Sequence, residues 1–327
     1  MALTSVVIPS RSDQYLQKTV DDLLAKAEGD IEVIVVYDGR WADPVLKDDP
    51  RVIQIHHGTL TDNLGMRESI NAGVAISHGE YIMKLDEQCM VGQGFDRILQ
   101  ADCEDNWVVI PRRKRLEPET WSLVNDGRRD IDYMYIEYPY AKPFDKTQGL
   151  HGAEWKRPER DGIMIDDTPT SQGSCYFMKR SWWDKTICRL DSTYYGAFTM
   201  EAQEITLKTW FSGGRVVVNK NTFYAHWHKG SKGKGYAFTN AQYRRHQEGM
   251  EKGRIYAIEY WLNTKDFKLG ELSDKYDWDW FVNKKFPGMP GWSWDWSQRV
   301  YIDKLKDYST LGYKEDEWLQ NLRTEKR

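Results

Sequence analysis

Residues 31–37 read IEVIVVY, and this run constrains the fold more than any other feature of the chain. A strand with so little polar surface cannot leave one face to water. It needs cover on both sides, as in a parallel sheet with helices above and below. Its neighbours fit that arrangement. SVVIP at 5–9, VIQIH at 52–56 and EYIMKL at 80–85 also read as strands. Between them, 13–26 sets Leu16, Val20, Leu23 and Leu24 at helical spacing, with Gly29 beyond the end. Residues 66–76 put Ile70, Val74 and Ala75 on one helical face. The β-α-β rhythm predicts a doubly wound α/β domain. Past residue 100 the signals thin. A strand is expected over 107–111, and 112–169 is polar with few periodic cues. A strand over 173–178, a short helix over 181–187, a helix over 199–211, a strand over 215–219 and a helical pattern over 239–263 follow.

The 327 residues suit about two domain-sized units. Hydrophobic residues at 40% permit a sizeable core and exclude wholesale disorder. Lys and Arg number 46 against 50 Asp and Glu, which excludes a uniformly basic nucleic-acid coat and leaves room for local basic patches. The 15 Trp and 19 Tyr suit sugar, base or protein contacts. Cys89, Cys103, Cys175 and Cys188 form no C-x-x-C pair, so reduced thiols are expected and a structural zinc is not. MALTSVVIPS has no signal-peptide pattern, and no apolar stretch approaches the roughly 18 residues of a membrane span. A soluble, cytoplasmic protein without membrane contact is expected.

EYIMKL ends in Asp86-Glu87-Gln88. Open α/β sheets bind ligands at the carboxyl ends of their strands, where a carboxylate can hold a divalent ion against a diphosphate. Alone, this motif reads equally well as an acidic turn. Its context is more specific: Arg67, Asn71, Gly73, Gly79, Glu80, Tyr81 and Asp86 occur in order, after SVVIPSR and Tyr37-Asp38-Gly39. This series resembles the GT-A glycosyltransferases of family 2 and the related polypeptide N-acetylgalactosaminyltransferases, over about residues 3–230. The resemblance implies an α/β fold of GT-A type, a Rossmann-like doubly wound sheet, with a helical, Trp-rich C-terminal extension. It implies a UDP-sugar donor and Mn2+ or Mg2+. By the same resemblance Pro9, Arg11 and Asp38 hold the nucleoside end, and Arg67 contacts the donor near its phosphates or sugar. Asp86, Gln88 and His226 form the metal set, with His228 as the alternative histidine.

Two positions depart from the family pattern. Gln88 stands where Asp or His is usual, and a neutral amide is a weak ligand. Low metal affinity, substitution by Glu87 and reliance on cationic side chains all remain open. Inverting members carry Glu-Asp where this chain has Glu201-Ala202. Retention is the weak preference, with the leaving diphosphate taking the acceptor proton. Glu201 then orients sugar or acceptor, or acts as a displaced base, or is only a helix-start carboxylate favoured by the dipole. Glu204, a turn later, supports it or caps the helix.

The stretch 228–254 begins with Gly, Ser and Lys and suits a lid that brings Lys229 and Lys232 onto the diphosphate. Arg112, Arg113, Arg244 and Arg245 suit an anionic acceptor. The architecture is also similar to virus-encoded GT-A enzymes that glycosylate hydroxymethylated pyrimidines. The favoured acceptor is thus a 5-hydroxymethylpyrimidine such as hydroxymethylcytosine in double-stranded bacteriophage DNA, met in the host cytoplasm. Its hydroxymethyl group already projects into the major groove. A protein or surface-glycan hydroxyl is the alternative acceptor, and a non-catalytic nucleotide-sugar-binding protein the alternative class. No protein partner is implied. The expected division is 1–235 for donor binding and catalysis and 236–327 for an extension on or beside the acceptor site. Trp278, Trp280, Trp292, Trp294 and Trp296 are expected to latch that extension onto the core rather than to stack on ligand.

Overall fold

The computed structural model describes residues 1–11, 14–139, 149–229, 238–263 and 275–292. The first half alternates as its pattern requires: β1 (Thr4–Ser10), α1 (Leu16–Lys26), β2 (Ile31–Asp38), β3 (Val52–His57), α2 (Met66–Ile76), β4 (Tyr81–Leu85), β5 (Cys89–Val91) and α3 (Phe95–Ala101). The second half holds β6 (Trp107–Glu117), β7 (Ser122–Leu123), β8 (Met134–Ile136), β9 (Gly152–Glu154), β10 (Ile165–Asp167) and β11 (Cys175–Lys179). Then come α4 (Arg180–Trp182), α5 (Ser192–Tyr195), α6 (Glu201–Phe211), β12 (Arg215–His226) and α7 (Asn240–Ile258).

The main sheet runs β10-β12-β6-β11-β4-β1-β2-β3, with β5 paired to β12 and β7 to β6. Strands β3, β2, β1 and β4 are parallel, and β11 is antiparallel to both β4 and β6. This is a mixed α/β sheet of GT-A type. Strand β2 is buried at every position, as its apolar run demands. Side chains alternate across the sheet. Val6, Ile8, Val33 and Val35 pack with Leu16 and Leu23 of α1, whereas Val7 and Ile82 pack with Ile70 and Val74 of α2 on the other face. The approach of α2 explains Gly73: a Cβ there would lie 2.4 Å from Val7 Cγ1.

Two strands outrun their sequence pattern. β6 continues to Glu117 and β12 to His226, and they pair in parallel across an irregularity between Asn219 and Phe223. The ladder carries the polar stretch, and local ion pairs satisfy its side chains: Arg112 with Asp132 at 2.7 Å and Lys114 with Asp130 at 3.7 Å. The stretch 112–169, polar with few periodic cues, therefore contributes to the sheet and adds the antiparallel β8–β9 pair. Extension of β12 is what delivers His226 to the end of β4.

Described residues of 238–263 and 275–292 share the core of the α2 face. Trp278, Phe281 and Trp292 pack with Trp210 and Phe211 of α6. The indoles of Trp278 and Trp292 stack at 5.1 Å, and Trp292 Nε1 donates to Ile136 O at 2.7 Å. Trp294 and Trp296 lie outside the described residues. The four cysteines are unpaired, three of them buried. Among the described residues, no helix is long and apolar enough to cross a membrane.

Candidate active site

The carboxyl ends of β1, β2 and β4 face one cleft, at the point where chain order reverses across the sheet. Pro9 and Ser10 end β1 and Arg11 follows it, Asp38 ends β2, and Asp86 to Gln88 follow β4. Glu201 at the start of α6, Gly173 before β11 and Lys229 after β12 complete the walls, with Phe238 and His246 above.

Its centre is Asp86, whose side chain is partly open to the cleft. Asp86 Oδ1 accepts from Lys84 Nζ at 2.6 Å, and Asp86 Oδ2 lies 3.3 Å from His226 Nε2. Burial alone would raise the Asp86 carboxyl, but the Lys84 ammonium and the His226 ring hold it well below the usual carboxylate range. Burial keeps the His226 ring below its ordinary value despite that carboxylate, which favours the neutral imidazole a metal needs. Gln88 Nε2 sits 3.0 Å from His226 Nε2 and donates to Trp227 O at 3.3 Å. Gln88 Oε1 is buried without a partner among the described residues. As placed, the amide nitrogen faces the imidazole; with the amide turned over, its oxygen joins the Asp86 carboxylate and the neutral imidazole in a donor set that fits a divalent ion, with one formal charge. No cluster of three His, Cys, Asp or Glu side chains offers a metal site among the described residues.

Lys84 is the residue that the sequence reading missed. It is 1% exposed, and its ammonium donates to Asp86 and, at 2.5 Å, to Gly173 O. Burial works against this ammonium, but Asp86 and Glu201 outweigh it and raise its affinity for the proton. A charge inside EYIMKL was the available signal: Lys84 shares the parity of Ile82, which points into the α2 face.

At the nucleoside end, Glu87 is a bridge. It accepts from Arg11 N at 3.0 Å and pairs with Lys229 Nζ at 2.5 Å. Arg11 Nη1 donates to Asp38 O at 2.6 Å, and its guanidinium lies over Phe238 at 4.9 Å. Arg11 Nε and Nη2 are buried and unpartnered among the described residues.

A model of Glycosyl transferase family 2 matches residues 5–182, more than half of the chain. The chain belongs to glycosyl transferase family 2. One relative is the Drosophila melanogaster "Putative polypeptide N-acetylgalactosaminyltransferase 13", 25% identical over 235 residues, covering 66% of this chain and 40% of the relative. Another is the "Uncharacterized glycosyltransferase EpsJ" of Bacillus subtilis (strain 168), 28% identical over 115 residues, covering 33% of this chain and 32% of the relative. The chain thus spans less than half the length of either. In three dimensions it resembles GalNAc-T7, crystallised with UDP, GalNAc and Mn2+, at a TM-score of 0.57 and 13% identity, over 87% of this chain and 57% of that one.

The family motifs fall on structural as well as cleft positions. Asn71 exchanges two hydrogen bonds with Leu190, each at 2.9 Å, and so ties α2 to the segment before α5. Arg67 does not line the cleft. It is fully buried, its guanidinium donates to Thr199 O and Asp191 O and pairs with Glu204, and it lies over the Tyr195 ring at 4.4 Å. The expected contact between Arg67 and donor is corrected by this placement: α2 aims the side chain inward. Asp38 lines the cleft, but its carboxylate accepts from Leu64 N at 2.7 Å and Gly65 N at 2.9 Å.

Glu201 stands apart from the other cleft carboxylates. Asp38, Asp86 and Glu87 are each engaged, whereas Glu201 Oε1 is buried without a partner among the described residues. Burial pushes its carboxyl up, against the pull of Lys84. Gly173 makes room for it: φ is +86°, and a Cβ there would lie 2.8 Å from Glu201 Oε2. Ala202 is buried, so the position after Glu201 offers no carboxylate.

Among the described residues, many of the basic side chains are paired or buried. Arg112 pairs with Asp132, Arg129 with Asp161, and Arg128 with Asp126. Arg113 is buried, with Nη2 3.5 Å from His226 Nδ1. Arg245 donates to Thr61 O at 2.6 Å and lies 3.3 Å from Asp62, while Arg244 is exposed. Each acid that folds back onto an arginine removes charge available to a phosphate backbone. Lys232 lies outside the described residues.

Proposed function

We propose that this cleft transfers a sugar from a UDP-sugar to an acceptor hydroxyl, with a divalent ion held by Asp86, His226 and Gln88. The convergence of these three side chains at the ends of β4 and β12 carries the proposal. Family membership and the Mn2+ and UDP of GalNAc-T7 support it. The ion neutralises the leaving diphosphate. Arg11, with two free donor groups, binds acceptor atoms of the nucleotide, and Lys229 moves from Glu87 towards the diphosphate as the donor enters. Phe238 and His246 cover the bound donor and limit water, so the catalytic unit runs past residue 235. Glu201 accepts a hydrogen bond from a sugar or acceptor hydroxyl through its open Oε1. With Ala202 unable to act as base, the leaving diphosphate takes the acceptor proton and the anomeric configuration is retained.

The paired arginines favour a protein or glycan hydroxyl over a base in phage DNA. The test is UDP release from a panel of UDP-sugars with Mn2+, comparing peptide, glycan and hydroxymethylcytosine DNA acceptors. Stimulation by peptide or glycan that varies little between 50 and 200 mM salt, with the product anomer read by proton NMR, is the expected outcome. Steep salt dependence with modified DNA alone would restore the DNA acceptor. Donor binding without turnover on any acceptor would leave a non-catalytic sugar-nucleotide binder.

A further inference from the structure

The Asp86 centre is unusual in its charge balance. Asp86 already holds a full ammonium at 2.6 Å, and the ring that faces its other oxygen has Arg113 at 3.5 Å on the far side. Glu201 is the remaining anion beside Lys84, and His226 and Gln88 bring no negative charge. The two carboxylates are therefore balanced by two fixed cations. A divalent ion arriving alone meets one carboxylate already paired with an ammonium, a neutral imidazole and an amide, and it must approach an ammonium that is buried and held by Asp86 and Gly173 O. A nucleoside diphosphate changes this balance, because its phosphates bring the charge that the protein withholds.

We infer that Lys84 makes divalent-ion binding at the Asp86 centre conditional on the donor diphosphate, so that the ion enters with the nucleotide and not before it. This inference rests on the donor reading of the same cleft. Lys84 is here a positioning residue: it fixes Asp86 with one oxygen committed and one offered.

The test is Mn2+ binding to the full chain, read from the electron paramagnetic resonance signal of free Mn2+, with and without UDP. The Mn–UDP complex measured without protein is subtracted. Wild type is expected to bind Mn2+ at least about ten-fold more weakly without UDP than with it. Lys84→Met should bind Mn2+ without UDP about ten-fold more tightly than wild type, and Lys84→Arg should behave as wild type. A merely structural role for Lys84 predicts the opposite, since a damaged site loses affinity. Lys84→Gln keeps a donor for Gly173 O and removes the charge, and it should likewise create UDP-independent binding, which keeps the test decisive if circular dichroism finds Lys84→Met unfolded. Equal Mn2+ affinity with and without UDP in wild type, or unchanged or weaker affinity in a folded Lys84→Met, would overturn the inference. UDP that fails to bind under any condition would sink the donor reading instead, while the comparison of Mn2+ alone between the variants stays readable.

Discussion

Replacing Arg67 by Met separates a structural motif from a catalytic one. Arg67 is fully buried, and its guanidinium serves Thr199 O at 2.6 and 3.1 Å, Asp191 O at 3.2 Å and the Glu204 carboxylate. Methionine keeps much of the volume and removes every one of these bonds. Glu204 then keeps Lys208 at 2.7 Å but loses its buried partner. Breaking a buried pair in this way costs about 3–5 kcal/mol. At about 2 °C per kcal/mol for a chain of this size, Tm should fall by about 6–10 °C. The double variant Arg67→Met/Glu204→Leu should recover about half of the loss, because an apolar pair no longer strands a charge. UDP affinity of the folded fraction should stay within about two-fold of wild type. Urea unfolding and calorimetric UDP titration at one temperature measure both quantities. A variant of wild-type stability that binds UDP ten-fold more weakly would refute this reasoning and return Arg67 to the donor.

Three further substitutions test the cleft and its scaffold. Glu201→Gln should lower turnover about 100-fold with UDP affinity unchanged, as for loss of a positioned carboxylate. Because burial raises the Glu201 carboxyl, the folded chain keeps that proton at pH values where the unfolded chain has lost it. Wild-type stability should therefore fall as pH rises from the ordinary glutamate value through the raised one, and Glu201→Gln should lack that slope in thermal melts between pH 4 and 8. Gly173→Ala meets both a positive φ and Glu201 Oε2, so it should cost about 1–3 kcal/mol in urea unfolding and depress turnover as Glu201 is displaced. Trp278→Ala empties the stack against Trp292 and should cost about 3–5 kcal/mol without changing UDP affinity, measured by the same two methods.

Much of this architecture is legible in the sequence wherever the cause is local. The buried run of β2 demands its covering helices, and helical spacing places Ile70 and Val74 against the sheet. What resists reading depends on partners distant in the chain. The polar extensions of β6 and β12 are strands because they pair with each other, some 110 residues apart, and nothing in RRKR says so. The same residues read as a basic cluster until Asp130 and Asp132 fold back on Arg112 and Lys114. His226 is singled out by the family resemblance alone, and the long β12 is what brings it within 3.3 Å of Asp86. Lys84 is not legible, because its meaning comes from Gly173 and Glu201, which arrive from two other segments.

The carboxylates of the cleft show why a motif alone understates the chemistry. Four acids line it, and the sequence ranks Asp86 and Asp38 first because they occupy motif positions. Their partners rank them differently. Asp38 is committed to the amides of Leu64 and Gly65, Glu87 to Arg11 and Lys229, and Asp86 in part to Lys84. An engaged carboxylate is an anchor: it holds a loop, a lid base or a charge in place and gives up that role only at the cost of an unpaired buried group. Of the four cleft acids, Glu201 is the one with a buried oxygen that has no hydrogen-bond partner among the described residues, and it is also the acid whose proton affinity burial has raised. Openness and perturbed acidity coincide on one side chain, at a helix start where the backbone of Gly173 leaves it room. That coincidence, more than the motif, is the reason to look for transfer chemistry at Glu201 and for its control at Lys84.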